Sequence, residues 1–162
     1  MSAKSFFTSK LLAVIGLAAL FGVIATGCGD DANGGGADHG EAPLPKSLVG
    51  AWVFHSVHAD GMPADLRGML EWDPGTAVAE LLILEDGSFV YREVDGNGVE
   101  LAAESGVVSV READEIDLIV QRGSAGPADG MLSFLFAVAD DTLTLRETGG
   151  SLVFTLLKAQ AE

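Results

Sequence analysis

Residues 131–158 read MLSFLFAVADDTLTLRETGGSLVFTLLK, and this stretch decides the fold. Leu132, Phe134, Phe136 and Val138 occupy every second position. After Asp140-Asp141, Leu143 and Leu145 alternate with Thr142, Thr144 and Arg146. Thr148-Gly149-Gly150 then turns the chain into another apolar run. Successive side chains of a strand point to opposite faces, so a period of two gives one oily and one wet face. That pattern belongs to an antiparallel sheet with one solvated side. It predicts three consecutive strands, over Met131–Ala139, Thr142–Glu147 and Ser151–Lys158.

The same period extends upstream. Ile116, Leu118 and Val120 alternate with Asp117 and Gln121, which predicts a strand over Glu115–Gln121 preceded by one over Ser105–Arg111. Asp86-Gly87 marks a hairpin turn between strands at Ala79–Glu85 and Ser88–Val94, and Asp95-Gly96-Asn97-Gly98 marks the next turn. Arg122–Gly130, RGSAGPADG, reads as a loop by composition. A first strand fits Val49–Ala59. These eight strands, joined mostly by short turns, predict an all-β, up-and-down antiparallel barrel that leaves no free edge, with a two-sheet sandwich as the alternative. Residues 60–78 form the long connection. In it Leu66, Met69 and Leu70 are spaced for one short helix between the first and second strands, with Pro63 at its first turn and Pro74 beyond its end.

Gly50-Ala51-Trp52 at the start of the first strand, the long connection that follows, and Asp86-Gly87-Ser88-Phe89 resemble the lipocalin-like and fatty-acid-binding barrels. The resemblance spans residues 47–162. It implies that Trp52 plugs one end of the barrel and that the inward face binds a small apolar molecule. With Trp52 inward, strict alternation puts Phe54, Ser56 and His58 on the same side, joined by Phe89, Tyr91, Leu118, Phe134, Phe136, Leu145 and Phe154. Of these, Trp52, Phe54, His58, Phe89, Tyr91, Phe134, Phe136 and Phe154 are the candidate ligand-binding residues. Such a lining suits an apolar ligand held by one or two polar contacts. It equally suits a core, because eight strands enclose just enough room for their own side chains.

The chain has 162 residues, 48% of them hydrophobic and 20% charged, which fits one globular domain and excludes wholesale disorder. With 24 acidic and 9 basic residues its net charge is −15, which argues against nucleic acid as a partner and permits a basic protein partner. No catalytic constellation is marked. His55 and His58 stand three apart, which on a strand sends them to opposite faces and away from a shared metal. Asp95–Glu100 lacks the length and helical flanks of a calcium loop, and as a phosphate loop it lacks the third glycine and the helix. No Gly-x-Ser-x-Gly elbow occurs. The expectation is a binding module, not an enzyme, with no cofactor and no metal.

The N-terminus carries an address. Lys4 and Lys10 precede the apolar run Leu11–Ile24, and no acidic residue precedes Asp30. This is the pattern of a secretory signal peptide, and the run is too short for a spanning helix, which needs about 20 residues. Ala25-Thr26-Gly27-Cys28 resembles the lipobox of bacterial lipoprotein precursors, with Ala25 where Leu is commonest. The resemblance implies cleavage between Gly27 and Cys28, lipid on the Cys28 thiol and acylation of the new amine. Cys28 is the only cysteine, so no intramolecular disulfide can form, and lipidation accounts for an unpaired exported thiol. Residues 1–27 are then the signal peptide. Residues 28–46 are the lipidated cysteine and a Gly/Asp-rich tether, with a reach of about 20–25 Å. Residues 47–162 are the barrel domain. Loss of Lys4 and Lys10 leaves 24 acidic and 7 basic side chains, a net of −17, so an anionic bilayer repels the body and the lipid does the anchoring. Gly29 after the cysteine replaces the aspartate that retains some lipoproteins at the inner membrane, which favours an outer membrane.

Overall fold

The computed structural model describes residues 43–123 and 126–160. Gly27, Cys28, the signal peptide and most of the tether lie outside the described residues. Among the described residues nine strands and one helix follow in order: β1 (Gly50–Ala59), β2 (Met62–Ala64), α1 (Leu66–Leu70), β3 (Val78–Ile83), β4 (Ser88–Val94), β5 (Glu100–Glu112), β6 (Glu115–Gly123), β7 (Gly126–Ala139), β8 (Thr142–Glu147) and β9 (Leu152–Lys158). Every strand pairs antiparallel with its successor from β3 to β9. β9 returns to pair with β1 from Trp52↔Lys158 to Ala59↔Leu152, which closes an eight-stranded barrel of β1 and β3–β9 and excludes the sandwich.

The ninth strand, β2, is the element the sequence reading misses. Asp60 (φ 53°) and Gly61 (φ 77°) form a left-handed two-residue turn, which returns the chain along β1 with Val57↔Ala64 and Ala59↔Met62. β3 takes only the lower part of the same edge, Gly50↔Ile83 to Val53↔Glu80. Pro63 therefore sits in β2 and not in the helix. α1 is capped by Asp65, whose carboxylate accepts from the Arg67 and Gly68 amides at 3.2 and 3.1 Å, and it ends at Glu71 with φ 50°. Its buried Leu70 fastens it to the core.

Three expectations are corrected. Arg122–Gly130 is not a loop: Arg122 pairs with Pro127 and Gly123 with Gly126, so all but the tip is a β6–β7 hairpin. The β6–β7 ladder simply continues past Val120↔Gly130 into this segment, and that tertiary pairing overrides the turn-like composition. β5 begins at Glu100, five residues before the expected start at Ser105. And the register of β1 slips between Phe54 and Ser56. His55 is the extra residue of this bulge, and the alternation shifts by one beyond it. Val57 (1% exposed) thus faces inward opposite Phe154, while Ser56 and His58 pair with Thr155 and Val153 on the outer face.

The interior is apolar and aromatic. Trp52, Phe54, Phe89, Tyr91, Phe134 and Phe154 are buried, along with inward leucines or valines from every barrel strand except β4. Burying an aromatic side chain removes about 150–250 Å² from water, worth about 4–6 kcal/mol before chain entropy is counted. Gly106 is what lets β5 come close. A Cβ there would lie 1.9 Å from the Ile119 carbonyl oxygen and 2.9 Å from the Phe89 ring. Gly106→Ala is accordingly expected to cost about 3 kcal/mol or more and to lower Tm by about 10 °C. Gly96→Ala, where nothing lies within 4 Å, should stay within about 0.5 kcal/mol. Thermal melts of the two variants check the contrast.

Candidate functional site

The two ends of the barrel differ. At one end lie the start of β1 and the turns β3–β4, β5–β6 and β7–β8. Trp52 closes this end: it is fully buried, and its indole N–H donates to the Leu48 carbonyl at 2.8 Å. The Lys158 ammonium stands 5.7 Å from the ring centroid on β9, adding a cation–π contact. The plug expected of Trp52 is therefore present in the geometry, built from the segment before β1 and the end of β9.

At the other end lie the β1–β2 turn, α1, residues 71–77 and the β4–β5 turn. Here the inward alternation of β4, Phe89–Tyr91–Glu93, carries a carboxylate into the wall. Glu93 is 0% exposed. Its Oε2 accepts from the Thr76 hydroxyl at 2.6 Å and from the Asp73 amide at 2.9 Å, and its Oε1 accepts from the Tyr91 hydroxyl at 3.0 Å. These three neutral donors give both carboxyl oxygens a hydrogen-bond partner. The segment 71–77 is thereby tied to the barrel wall. Arg67 braces it from α1, donating from Nη2 to the Thr76 carbonyl at 2.5 Å while its guanidinium stacks 5.5 Å from the Trp72 ring centroid.

Glu104, 4% exposed, lies directly across from Tyr91 on β5, and Glu147, 7% exposed, ends β8 on the same inner face. The Trp72 indole nitrogen is buried beside Tyr91 without a hydrogen bond of normal geometry. Burial first, then the charge of Glu93 and the bond to it, hold the Tyr91 phenol far above its ordinary range. Glu104 adds to that rise and Trp72 opposes it. Tyr91 thus stays a protonated donor at any physiological pH, and it is the polar tip of an otherwise apolar wall.

The candidate ligand residues divide by position. Phe54 meets Tyr91 edge-on at 5.8 Å and Phe154 at 6.0 Å, and Phe134 meets Phe154 at 6.3 Å. Phe89 packs over Gly106. Trp52 belongs to the plug. Phe136 faces inward but is only partly buried, near the β5–β6 turn at the plugged end, where its amide donates to the Asp114 carbonyl at 2.7 Å. His58 is on the outer face, and His55 is exposed in the bulge. Only Tyr91 of the candidates touches the polar end. Glu93 and Glu104 were not singled out from sequence, although Glu93 continues the Phe89–Tyr91 alternation two residues further on. The Asp95 carboxylate is spent on its own turn, accepting from the Asn97 and Val99 amides at 2.8 and 2.9 Å.

No family model matches the chain, and no curated protein matches it. A solved structure does: the crystal structure of a lipocalin-like protein from Bacteroides uniformis superposes with a TM-score of 0.51 at 17% identity, over 70% of this chain and 99% of that one. At that identity the likeness is one of fold, and the closed eight-stranded barrel with its single short helix is a lipocalin-like barrel.

Glu93→Ala strands the Asp73 amide and the Thr76 and Tyr91 hydroxyls, and is expected to cost about 3 kcal/mol. Glu93→Gln should cost about 1 kcal/mol, because the Tyr91 hydroxyl can turn and accept from the new amide. Denaturant melts give both values, and hydrogen exchange should rise first in the amides of residues 73–77.

Proposed function

We propose that this protein is a bacterial envelope lipoprotein, anchored through lipid on Cys28 and carrying a lipocalin-like barrel that binds a small, partly apolar molecule. It acts as a binding module without catalytic chemistry or cofactor, and Gly29 directs it to the outer membrane where the cell has one. The observation that carries the binding reading is the composition of the α1 end. An interior that is otherwise apolar presents a phenol and buried carboxylates, Tyr91, Glu93 and Glu104, at one end only. Apolar walls with a few convergent polar groups are what a small-molecule site needs. The ligand must be small, because the rings of Phe54, Phe134 and Phe154 already meet in the middle of the barrel.

Those ring contacts also favour a second reading, in which the barrel is a solid scaffold and its acidic surface meets a basic protein. A titration with the neutral dye N-phenyl-1-naphthylamine separates the two. The binding reading expects saturable uptake by residues 47–162, weakened about fivefold by Tyr91→Phe, the loss of one hydrogen bond of about 1 kcal/mol. No uptake, with native mass spectra free of co-purifying small molecules, favours the scaffold. Anchoring is tested separately. One acyl chain alone holds marginally and two hold stably, at ~0.8 kcal/mol per buried CH₂. Cys28→Ala should leave an uncleaved precursor or a soluble product, and a mature variant that still fractionates with membranes sinks the anchor.

A further inference from the structure

We infer that the barrel stands with its Trp52-plugged end toward the bilayer and its α1 end toward the aqueous compartment, so that the bound molecule is exchanged with that compartment and not drawn from the membrane beneath. The orientation rests on the lipid-anchor reading of Cys28, and the route of exchange rests on the ligand-binding reading of the α1 end.

The chain joins the barrel at the plugged end. Leu44 lies in a recess with Glu85–Gly87, Val107, Val108 and Val110, beside the β3–β4 turn. The Leu48 amide then donates to the Pro45 carbonyl at 2.9 Å, and the Leu48 carbonyl receives the Trp52 indole. Leu48 is fully buried. Residues 44–52 are thus pinned across the plug, and the connection to Cys28 starts from there. A strand advances about 3.3 Å per residue and tilts by roughly 40° in a small barrel. The ten residues of β1 therefore carry the α1 end about 25 Å beyond the plug. A connection with a reach of about 20–25 Å sets the height of the plugged end, and the mouth adds the length of the barrel.

Charge does not reverse this. Asp60, Asp65, Asp73 and Asp95 border the mouth, whereas Glu85, Asp86, Asp140 and Asp141 border the plug. Among the described residues neither end is free of acids, so repulsion from anionic lipid does not favour one end over the other. The only lysines among the described residues, Lys46 and Lys158, are both at the plugged end, one just before Leu48 and one over Trp52. The basic groups nearest the anchor are thus those that face the headgroups.

The two tryptophans serve as reporters, because Trp52 is in the plug and Trp72 is in the segment over the mouth. The chain from Cys28 onward is coupled through its single thiol to a maleimide-bearing lipid in phosphatidylcholine vesicles that contain dansyl-phosphatidylethanolamine. Energy transfer is read from tryptophan lifetimes. Trp72→Phe removes the distant donor, so the mean transfer efficiency should rise. Adding Asn97→Trp, in the exposed β4–β5 turn, should lower it again without disturbing the core. An unchanged or lower efficiency in Trp72→Phe, or a rise with Asn97→Trp, overturns the orientation. Protein lipidated in the cell and reconstituted into the same vesicles should repeat the pattern. Failure of the anchor itself shows in membrane fractionation of Cys28→Ala, independently of these lifetimes.

Discussion

β1 has two edges, and three strands claim them. β9 takes one edge along most of its length, while β3 and β2 divide the other. Everything else follows from how β1 meets these demands. The close approach to β9 shuts the sheet into a barrel. The bulge at His55 lets the strand bend as it does so, and it exchanges Ser56 and His58 for Val57 on the inner wall. The Asp60-Gly61 turn then fills the part of the edge that β3 has left, and it delivers α1 to the barrel end. A barrel without that bulge would face a hydroxyl and an imidazole toward Phe154, where buried polar groups would need partners.

Polarity is divided lengthwise along the interior. Trp52, Leu48 and Lys158 make one end a dry stopper. Tyr91, Glu93, Glu104 and Glu147 make the other end the only part of the inner wall where carboxylates gather among the described residues. Glu93 is committed to structure: it binds Asp73 and Thr76 and so fastens residues 71–77. Glu104 stands across from Tyr91 on the neighbouring strand.

Much of this fold is legible in the chain. The alternation of residues 131–158 gives β8 and most of β7 and β9 without aid from structure, because each has one wet face. Gly50-Ala51-Trp52 locates the plug, and Leu66, Met69 and Leu70 locate α1. The bulge is not legible. Nothing in Phe54-His55-Ser56 distinguishes it from regular strand, since the slip answers the register that β9 imposes from a hundred residues away. The β6–β7 hairpin is hidden for the opposite reason: its glycines and proline look like a loop, and only the fold shows that its two arms continue the ladder between them. β2 carries a local mark, the Asp60-Gly61 dipeptide, but three residues are too few to show a period. Of the polar end, Tyr91 and Glu93 lie in phase on β4 and can be read from sequence. Their meeting with residues 73 and 76 is a matter of tertiary closure.

The pairing of β1 with β9 also dictates a timetable. The ladder that seals the wall joins the earliest described strand to the last, so a nascent chain that stops short of β9 lacks half of it. Contacts so far apart along the chain form late and slowly. A polypeptide threaded N-terminus first through a narrow pore cannot complete the ring until β9 has emerged. The arrangement delays maturation to the far side of any such passage.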